Sequence, residues 1–174
     1  MDLRKLLVAF VFVICAGLRL AGAAEDPLLK AKLSDLTGRP SLSEIKFDLS
    51  RAEGKWVLLE LWASWCKPCR DSFPFFERLY QENQNQGFLV VGLAMDDDKK
   101  DSLHFLSQNK TSFPILYDEG KHLRKLWQIS SLPMTVWMNP QGEVVQITKG
   151  FRKSDQKRVE KQVQDFLKQK GEKK

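Results

Sequence analysis

Two cysteines separated by two residues, Cys66 and Cys69, are the part of the sequence best suited to chemistry. They follow an apolar run from Trp56 to Trp62, which predicts a buried strand that ends just before them. If a helix begins at Cys66, its unpaired N–H groups and the positive end of its dipole favour a thiolate there. Cys69 lies one turn further on, within reach of a disulfide. The pair therefore predicts a dithiol switch with Cys66 as nucleophile and Cys69 as resolving thiol.

The two residues between the cysteines bear on the same chemistry. Pro68 falls in the first turn of the predicted helix, where its missing N–H costs no hydrogen bond, and it limits the flexibility of the loop. Lys67 puts a positive charge beside Cys66, which favours the thiolate and raises the reduction potential. Alternatively Lys67 points into water, where its charge is well screened. The sequence leaves both interpretations of Lys67 open.

Glu60 is a carboxylate inside the apolar run. Burying an unpaired charge costs several kcal/mol, so a buried Glu60 is expected to stay neutral through a raised pKa or to find a partner. A protonated acid near Cys69 could exchange protons with that thiol. The alternative is an ordinary strand residue paired with a lysine such as Lys55.

Alternating strands and helices are predicted to position these residues. A helix is expected over 67–81, interrupted by Pro74, and a strand at Pro133 is expected to start a hairpin. The sequence gives irregular structure over 28–54, further strands over 88–95, 113–117, 132–138 and 143–148, and helices over 101–108, 120–127 and 154–168. This order predicts an α/β fold, a mixed sheet covered by helices on both faces.

The first 23 residues have the pattern of a secretory signal peptide. Arg4 and Lys5 precede an apolar run over 6–18, and small residues follow at 21–24. The run is shorter than the roughly 20 residues that span a bilayer, and an uncleaved membrane anchor is the alternative. Lipidation of Cys15 is not favoured, because Ile14 stands where lipidation signals place a small residue. Residues 24–174 are then one mature domain, with a basic and frayed end over 169–174.

A secretory signal implies an oxidising compartment, such as the periplasm or the outside of the cell. Without residues 1–23, Cys66 and Cys69 are the cysteines that remain. A disulfide that closes so short a loop adds little stability, so the pair is interpreted as catalytic rather than structural. Without residues 1–23 the formal net charge falls from +6 to about +4, and much of the remainder comes from a lysine-rich tail over 161–174, which has no accompanying nucleic-acid motif. We therefore expect no nucleic-acid partner. We also expect the protein to be a monomer.

Several motifs together resemble the thioredoxin superfamily, and within it the secreted TlpA/ResA/CcmG-like thiol–disulfide oxidoreductases. The similarity covers nearly all of the mature chain. It rests on WASWCKPCR at 62–70, FPFFERLY at 73–80, VVGLAMD at 90–96, FPILYD at 113–118 and LPMTVW at 132–137. The motif at 90–96 resembles the strand that follows the active-site helix in this family. The motif at 113–118 resembles the start of the extra strand–helix segment of its TlpA-like branch.

The resemblance implies a thioredoxin fold with an N-terminal extension and a redox-active Cys66–Cys69 disulfide. It also implies a cis peptide bond at Pro133, which would pack against that disulfide, and a buried acid at Glu60. Leu132 and Pro133 would border the groove in which the partner's extended chain docks by strand-like hydrogen bonding. The residues expected to contact the substrate are Trp65, Lys67, Pro68, Leu132 and Met134.

Three positions depart from the family pattern. Lys67 is an unusual choice between the cysteines, Ser131 stands where glycine is usual, and Met134 replaces the usual threonine after the proline. The first departure leaves the redox potential open. The other two alter the docking surface and leave the substrate open.

The sequence therefore predicts an extracytoplasmic thiol–disulfide oxidoreductase that acts on protein thiols and needs no cofactor or metal. By resemblance it works as a reductant fed by a membrane electron donor, for example in cytochrome c maturation. One alternative is a module that binds Cu(I) through Cys66 and Cys69, with Met134 as a candidate third ligand. Another is a peroxidase on a related scaffold, but no separate peroxidatic cysteine matches.

Overall fold

A computed structural model describes residues 26–171, with side chains to residue 168. The signal peptide or anchor predicted over residues 1–23 lies outside this range, as do residues 172–174 of the predicted basic tail. Within the described range, no helix combines the length and apolar character needed to cross a bilayer.

Five strands form one mixed sheet in the order β3-β2-β1-β4-β5. β1, β2 and β3 are parallel, whereas β4 is antiparallel to β1 and β5 is antiparallel to β4. Every residue of β1 and β2 is buried, as expected of central strands covered on both faces. The predicted α/β thioredoxin-type fold is confirmed. The strands are β1 (Trp56–Trp62), β2 (Phe88–Ala94), β3 (Ile115–Tyr117), β4 (Met134–Met138) and β5 (Val144–Lys149).

The α-helices in the described range flank this sheet. They are α1 (Leu49–Ala52), α2 (Lys67–Asn83), α3 (Lys99–Gln108), α4 (His122–Leu126) and α5 (Gln156–Gly171). α2 and α5 lie side by side, because Arg78 pairs with Glu160 at 2.5 Å and the Gln164 amide donates to Asn83 Oδ1 at 3.0 Å. α2 continues through Pro74 to Asn83, two residues beyond the predicted end.

Two strands begin later than the sequence predicts, and proline explains both differences. β3 was expected from residue 113 but begins at Ile115, after Pro114, which has no N–H to give to a ladder. β4 was expected from residue 132 but begins at Met134, after Pro133. Both prolines therefore lie just outside the ladders.

The segment before β1 is more ordered than the irregular structure predicted over 28–54. It contains two 3-10 helices, Pro27–Lys30 and Leu33–Leu36, whose buried side chains are Leu28, Leu33 and Leu36. An isolated bridge joins Lys32 to the residue before β5, and a second joins Ser41 to β3. Because β5 and β3 are the two edges of the sheet, the N-terminal extension crosses from one edge to the other and adds to the core.

Candidate active site

The two cysteines lie where β1 passes into α2. Cys66 is the N-cap of α2 and Cys69 lies in its first turn. Their sulfurs form a disulfide with an S–S distance of 2.01 Å and a Cα–Cα distance of 5.3 Å. Cys66 is 4% exposed and Cys69 is fully buried. An incoming thiol or disulfide can therefore reach Cys66 but not Cys69.

The surroundings of Cys66 favour a thiolate through the backbone rather than through Lys67. The Cys69 N–H donates to Cys66 Sγ at 3.3 Å, at the helix end where the dipole is positive. Lys67 Nζ instead pairs with Asp71 at 2.7 Å, one turn along the solvent-facing side of α2, and both side chains are mostly exposed. Of the two interpretations that the sequence left open, the solvent-facing lysine agrees with this geometry.

Asp96 anchors the loop that precedes Cys66. The Ser64 N–H donates to its carboxylate at 3.0 Å, the Ser64 hydroxyl at 2.7 Å and the Ser102 hydroxyl at 2.6 Å. Asp96 is 1% exposed and follows the end of β2, so the loop is held from the neighbouring strand. No role was predicted for the Asp96 side chain from the sequence. The signal available was that Asp96 directly follows a fully apolar strand.

Glu60 is buried in the middle of β1, 1% exposed. Its Oε2 accepts a hydrogen bond from Thr135 Oγ1 at 2.9 Å, across the β1–β4 pair. Its Oε1 lies 3.3 Å from Ser72 Oγ on α2. Burial raises the pKa of Glu60 to about 8, and the two hydroxyls only partly offset this effect. The partners of Glu60 are thus two hydroxyl groups, not Lys55.

Ser72 connects Glu60 to the backbone of the active-site cysteine. Its Oγ lies 2.7 Å from the carbonyl oxygen of Cys69 and 3.3 Å from Glu60 Oε1. A hydroxyl has one hydrogen, so it donates through the shorter contact to Cys69 when Glu60 is protonated. The protonated carboxyl then donates to Ser72 Oγ, which gives an unbroken chain from Glu60 to Cys69. No local pattern indicates a role for Ser72, because its contacts depend on how α2 packs on β1.

Ser72→Ala is expected to raise the pKa of Glu60 further and to lower the free energy of unfolding by about 1–3 kcal/mol. The pKa rises because the ionised carboxylate loses a hydroxyl that can turn to donate to it, and stability falls because the buried carboxyl and the Cys69 carbonyl lose their partner. The measurements are denaturant unfolding and the pH dependence of thiol–disulfide exchange. Ser107→Ala is a matched control, because the Ser107 hydroxyl donates to the carbonyl three residues earlier at the same 2.7 Å but is exposed. Equal effects of the two substitutions would contradict the role given to Ser72.

A groove lies beside the disulfide where the Leu132–Pro133 peptide bond is cis. The Gly150 N–H donates to the Pro133 carbonyl at 2.8 Å, which ties the loop to the end of β5. We call this the cis-proline groove; its lining includes Pro68, Leu132, Pro133 and Phe151. Three of these residues, Pro68, Leu132 and Pro133, were expected at the docking site from the sequence.

The other residues expected to contact the substrate lie elsewhere. Met134 is 3% exposed within β4 and does not line the cis-proline groove, so its side chain is part of the core. Trp65 is 60% exposed and lines a separate groove with Ser64, Arg70 and His104, which we call the Trp65 groove. The disulfide is therefore flanked by two different surfaces. Among the described residues, no three His, Cys, Asp or Glu side chains come together as a metal site.

A disulfide at the N-terminus of the helix after β1, beside a cis-proline loop and above a buried acid, defines a thiol–disulfide oxidoreductase with a thioredoxin fold. Comparison with known proteins agrees with this class. The profile of the AhpC/TSA family matches residues 29–147. The chain belongs to this family and is a thiol–disulfide oxidoreductase of the ResA and DsbE type.

Two curated relatives and one solved structure, all three bacterial, are similar to this chain. The thiol–disulfide oxidoreductase ResA of Oceanobacillus iheyensis is 30% identical over 152 residues, covering 83% of this chain and 76% of the relative. ResA of Halalkalibacterium halodurans is 30% identical over 135 residues, covering 78% of this chain and 70% of the relative. A crystal structure from Chlorobium tepidum, assigned as the thiol:disulfide interchange protein DsbE, is 30% identical with a TM-score of 0.67 and covers 74% of this chain and 93% of that one.

Proposed function

We propose that the protein works outside the cytoplasm as a reductant of protein disulfides, of the kind needed for cytochrome c maturation. Support comes from the signal-like residues 1–23, from the similarity to ResA and DsbE proteins, and from the nature of the site. A reductant outside the cytoplasm needs a supply of electrons, which we assign to a donor in the membrane. The partner's chain would dock along Leu132 and Pro133.

The observation that carries the reducing direction is the pair between Lys67 and Asp71. A cation directed at Cys66 would stabilise the thiolate, and so the reduced form, and would make the disulfide a stronger oxidant. In the structure Lys67 is directed at Asp71, 2.7 Å away, and so adds little to that stabilisation. The protonated Glu60 adds no charge either. A dithiol whose reduced form is stabilised mainly by a helix end is expected to donate electrons.

The proposed reaction uses the two cysteines in turn. The Cys66 thiolate attacks the partner disulfide, forms a mixed disulfide and releases one partner thiolate. Cys69 then attacks Cys66 Sγ, which frees the second partner thiolate and leaves the Cys66–Cys69 disulfide. Two electrons pass to the partner, and the proton that Cys69 loses is assigned to Glu60 in its deprotonated form, which a pKa of about 8 makes the minor form at neutral pH. Ser72 and Thr135 hold the Glu60 carboxyl in place for that transfer.

The reduction potential tests the proposal. Equilibration with thiol–disulfide redox buffers is expected to give a value near that of thioredoxin, about −270 mV, whereas a value near −120 mV would mark an oxidant and contradict the proposal. Asp71→Asn frees Lys67 and is expected to raise the potential by about 10–20 mV. Lys67→Gln is the matched control and is expected to leave the potential nearly unchanged. A large fall with Lys67→Gln would show that the lysine stabilises the thiolate after all.

The copper-binding alternative gains no support from the described residues. Met134, its candidate third ligand, is buried in the core, and no three His, Cys, Asp or Glu side chains come together among the described residues.

A further inference from the structure

Positively charged side chains gather along the cis-proline groove. Lys149 ends β5, Arg152 lies in the loop that follows, and Arg158 lies in the first turn of α5. All three are exposed, and Asp155 is the one acidic residue of the groove lining. Three cations against one anion leave the lining with an excess of two positive charges.

The groove's own carboxylate does not neutralise this excess. Asp155 Oδ2 accepts the Arg152 backbone N–H at 2.8 Å, and Asp155 Oδ1 lies 3.3 Å from the Arg158 guanidinium. Asp155 is thus paired with Arg158. Among residues 26–168, the side chains of Lys149 and Arg152 form no ion pair. Their two charges face the groove and the solvent.

The excess lies on one side of the disulfide. The lining of the Trp65 groove on the other side holds one cation, Arg70, and one acid, Asp101, and so has no excess charge. Between the two grooves, Lys67 is paired with Asp71. A partner whose cysteine reaches Cys66 along the cis-proline loop therefore has one flank over a positive surface and the other over a neutral one.

We propose that the partners of this protein carry Asp or Glu residues on one flank of the reactive cysteine, and that this acidic extended segment docks in the cis-proline groove. The proposal rests on the proposed function, in which protein partners dock along that groove. Complementary charge raises the rate of encounter and disfavours partners whose flanking charge is positive. Lys149 and Arg152 are then residues that determine specificity, without taking part in the exchange reaction.

Disulfide-linked pairs of nine-residue peptides test the proposal. Each chain has one central cysteine. In one glutamate peptide three glutamates stand on the N-terminal side of the cysteine, in the other they stand on its C-terminal side, and all remaining positions are serine. Matching peptides have lysine in place of glutamate, or serine at every position except the cysteine. The reduced protein gives two electrons and two protons to the peptide disulfide, which yields two peptide thiols and the Cys66–Cys69 disulfide. We expect one of the two glutamate peptides to react about tenfold faster than the serine peptide at low salt, and the lysine peptides to react more slowly. The advantage should shrink as salt is added.

The readout is the ratio of the glutamate-peptide rate to the serine-peptide rate, which cancels general effects on activity. The double variant Lys149→Glu, Arg152→Glu is expected to reverse the ratio. The control is the double variant Lys110→Glu, Lys125→Glu, which makes the same change in net charge at two exposed lysines outside both grooves. It should leave the ratio of the two rates unchanged. Equal glutamate and serine rates, or a preference that survives the groove double variant, would overturn the proposal. Reduction of hydroxyethyl disulfide, a small uncharged substrate, tests the proposed function separately. If the protein reduces it but shows no preference for the glutamate peptides, only the proposal of acidic partners fails. If the protein does not reduce it, the proposed function fails as well.

Discussion

Replacing Cys66 with serine is expected to abolish thiol–disulfide exchange, whereas replacing Cys69 is expected to stop the reaction halfway. Cys66 is the sulfur that a partner can reach, and its thiolate is favoured by the Cys69 N–H and the helix end. Serine does not ionise near neutral pH, so the loss for Cys66→Ser should be on the order of a thousandfold or more. Cys69→Ser keeps the nucleophile but lacks the resolving thiol, so mixed disulfides with partners should accumulate.

The two variants are matched controls for each other. Each loses the same disulfide and the same short loop, so any loss of stability is the same in the two variants. A difference in activity between them therefore comes from the role of each sulfur and not from stability. The measurements are disulfide reduction in solution and non-reducing electrophoresis of trapped adducts. Exchange that continues with Cys66→Ser, or adducts that form on Cys69 instead, would reverse the assignment of nucleophile and resolving thiol.

The sequence predicted the parts of the site that depend on local pattern. The apolar run Trp56–Trp62 is the fully buried central strand, and Cys66 begins the helix that follows. What it did not predict are contacts between residues far apart in the chain. The two hydroxyl partners of Glu60 come from 12 and 75 residues away, because strand register brings Thr135 beside it and helix packing brings Ser72.

The same limit applies to the residues around the disulfide. Asp96 holds Ser64 from 32 residues away, and nothing in the loop sequence itself indicates that bond. Met134 follows the cis-proline in sequence and was expected at the docking surface. Its side chain is instead buried, as is every residue of β4, whereas Lys149 at the end of the edge strand β5 is exposed and lies at the groove. Adjacency in sequence to a functional residue was therefore a poor guide to which surface a side chain faces.

Glu60→Gln is expected to change how the stability of the oxidised protein depends on pH. The pKa of Glu60 is about 8 in the folded protein, against an ordinary value of 4.5 for the exposed side chain of an unfolded chain. Below about pH 4.5 both states hold the proton, so burial of the acid carries no penalty. Between pH 4.5 and 8 the unfolded chain releases its proton while the folded protein keeps it, which lowers the free energy of unfolding by about 1.4 kcal/mol for each pH unit. Above pH 8 the loss levels off.

Glutamine matches the shape of the protonated acid and can accept from Thr135 and donate to Ser72, so it should fold without this penalty. The free energy of unfolding of Glu60→Gln, from denaturant titrations, is expected to equal that of the natural protein at pH 4 and to exceed it by several kcal/mol at pH 8. The disulfide-bonded form is used so that neither Cys66 nor Cys69 titrates. Glu44→Gln, at an exposed glutamate, removes the same kind of group and should leave the pH profile unchanged.

The same substitution separates the two roles considered for Glu60. If Glu60 accepts the proton of Cys69, Glu60→Gln should slow the resolving step and remove the rise in its rate as pH approaches 8, since deprotonated Glu60 is the form that can accept a proton. The first step, measured as mixed-disulfide formation in the Cys69→Ser background, involves no such transfer and should keep its rate. A gain in stability at pH 8 with an unchanged resolving step would make Glu60 a buried acid without a part in proton transfer. We expect Glu60→Gln to make the protein more stable and its resolving step slower. That combination would show that Glu60 lowers the stability of the fold and that the reaction uses its raised pKa.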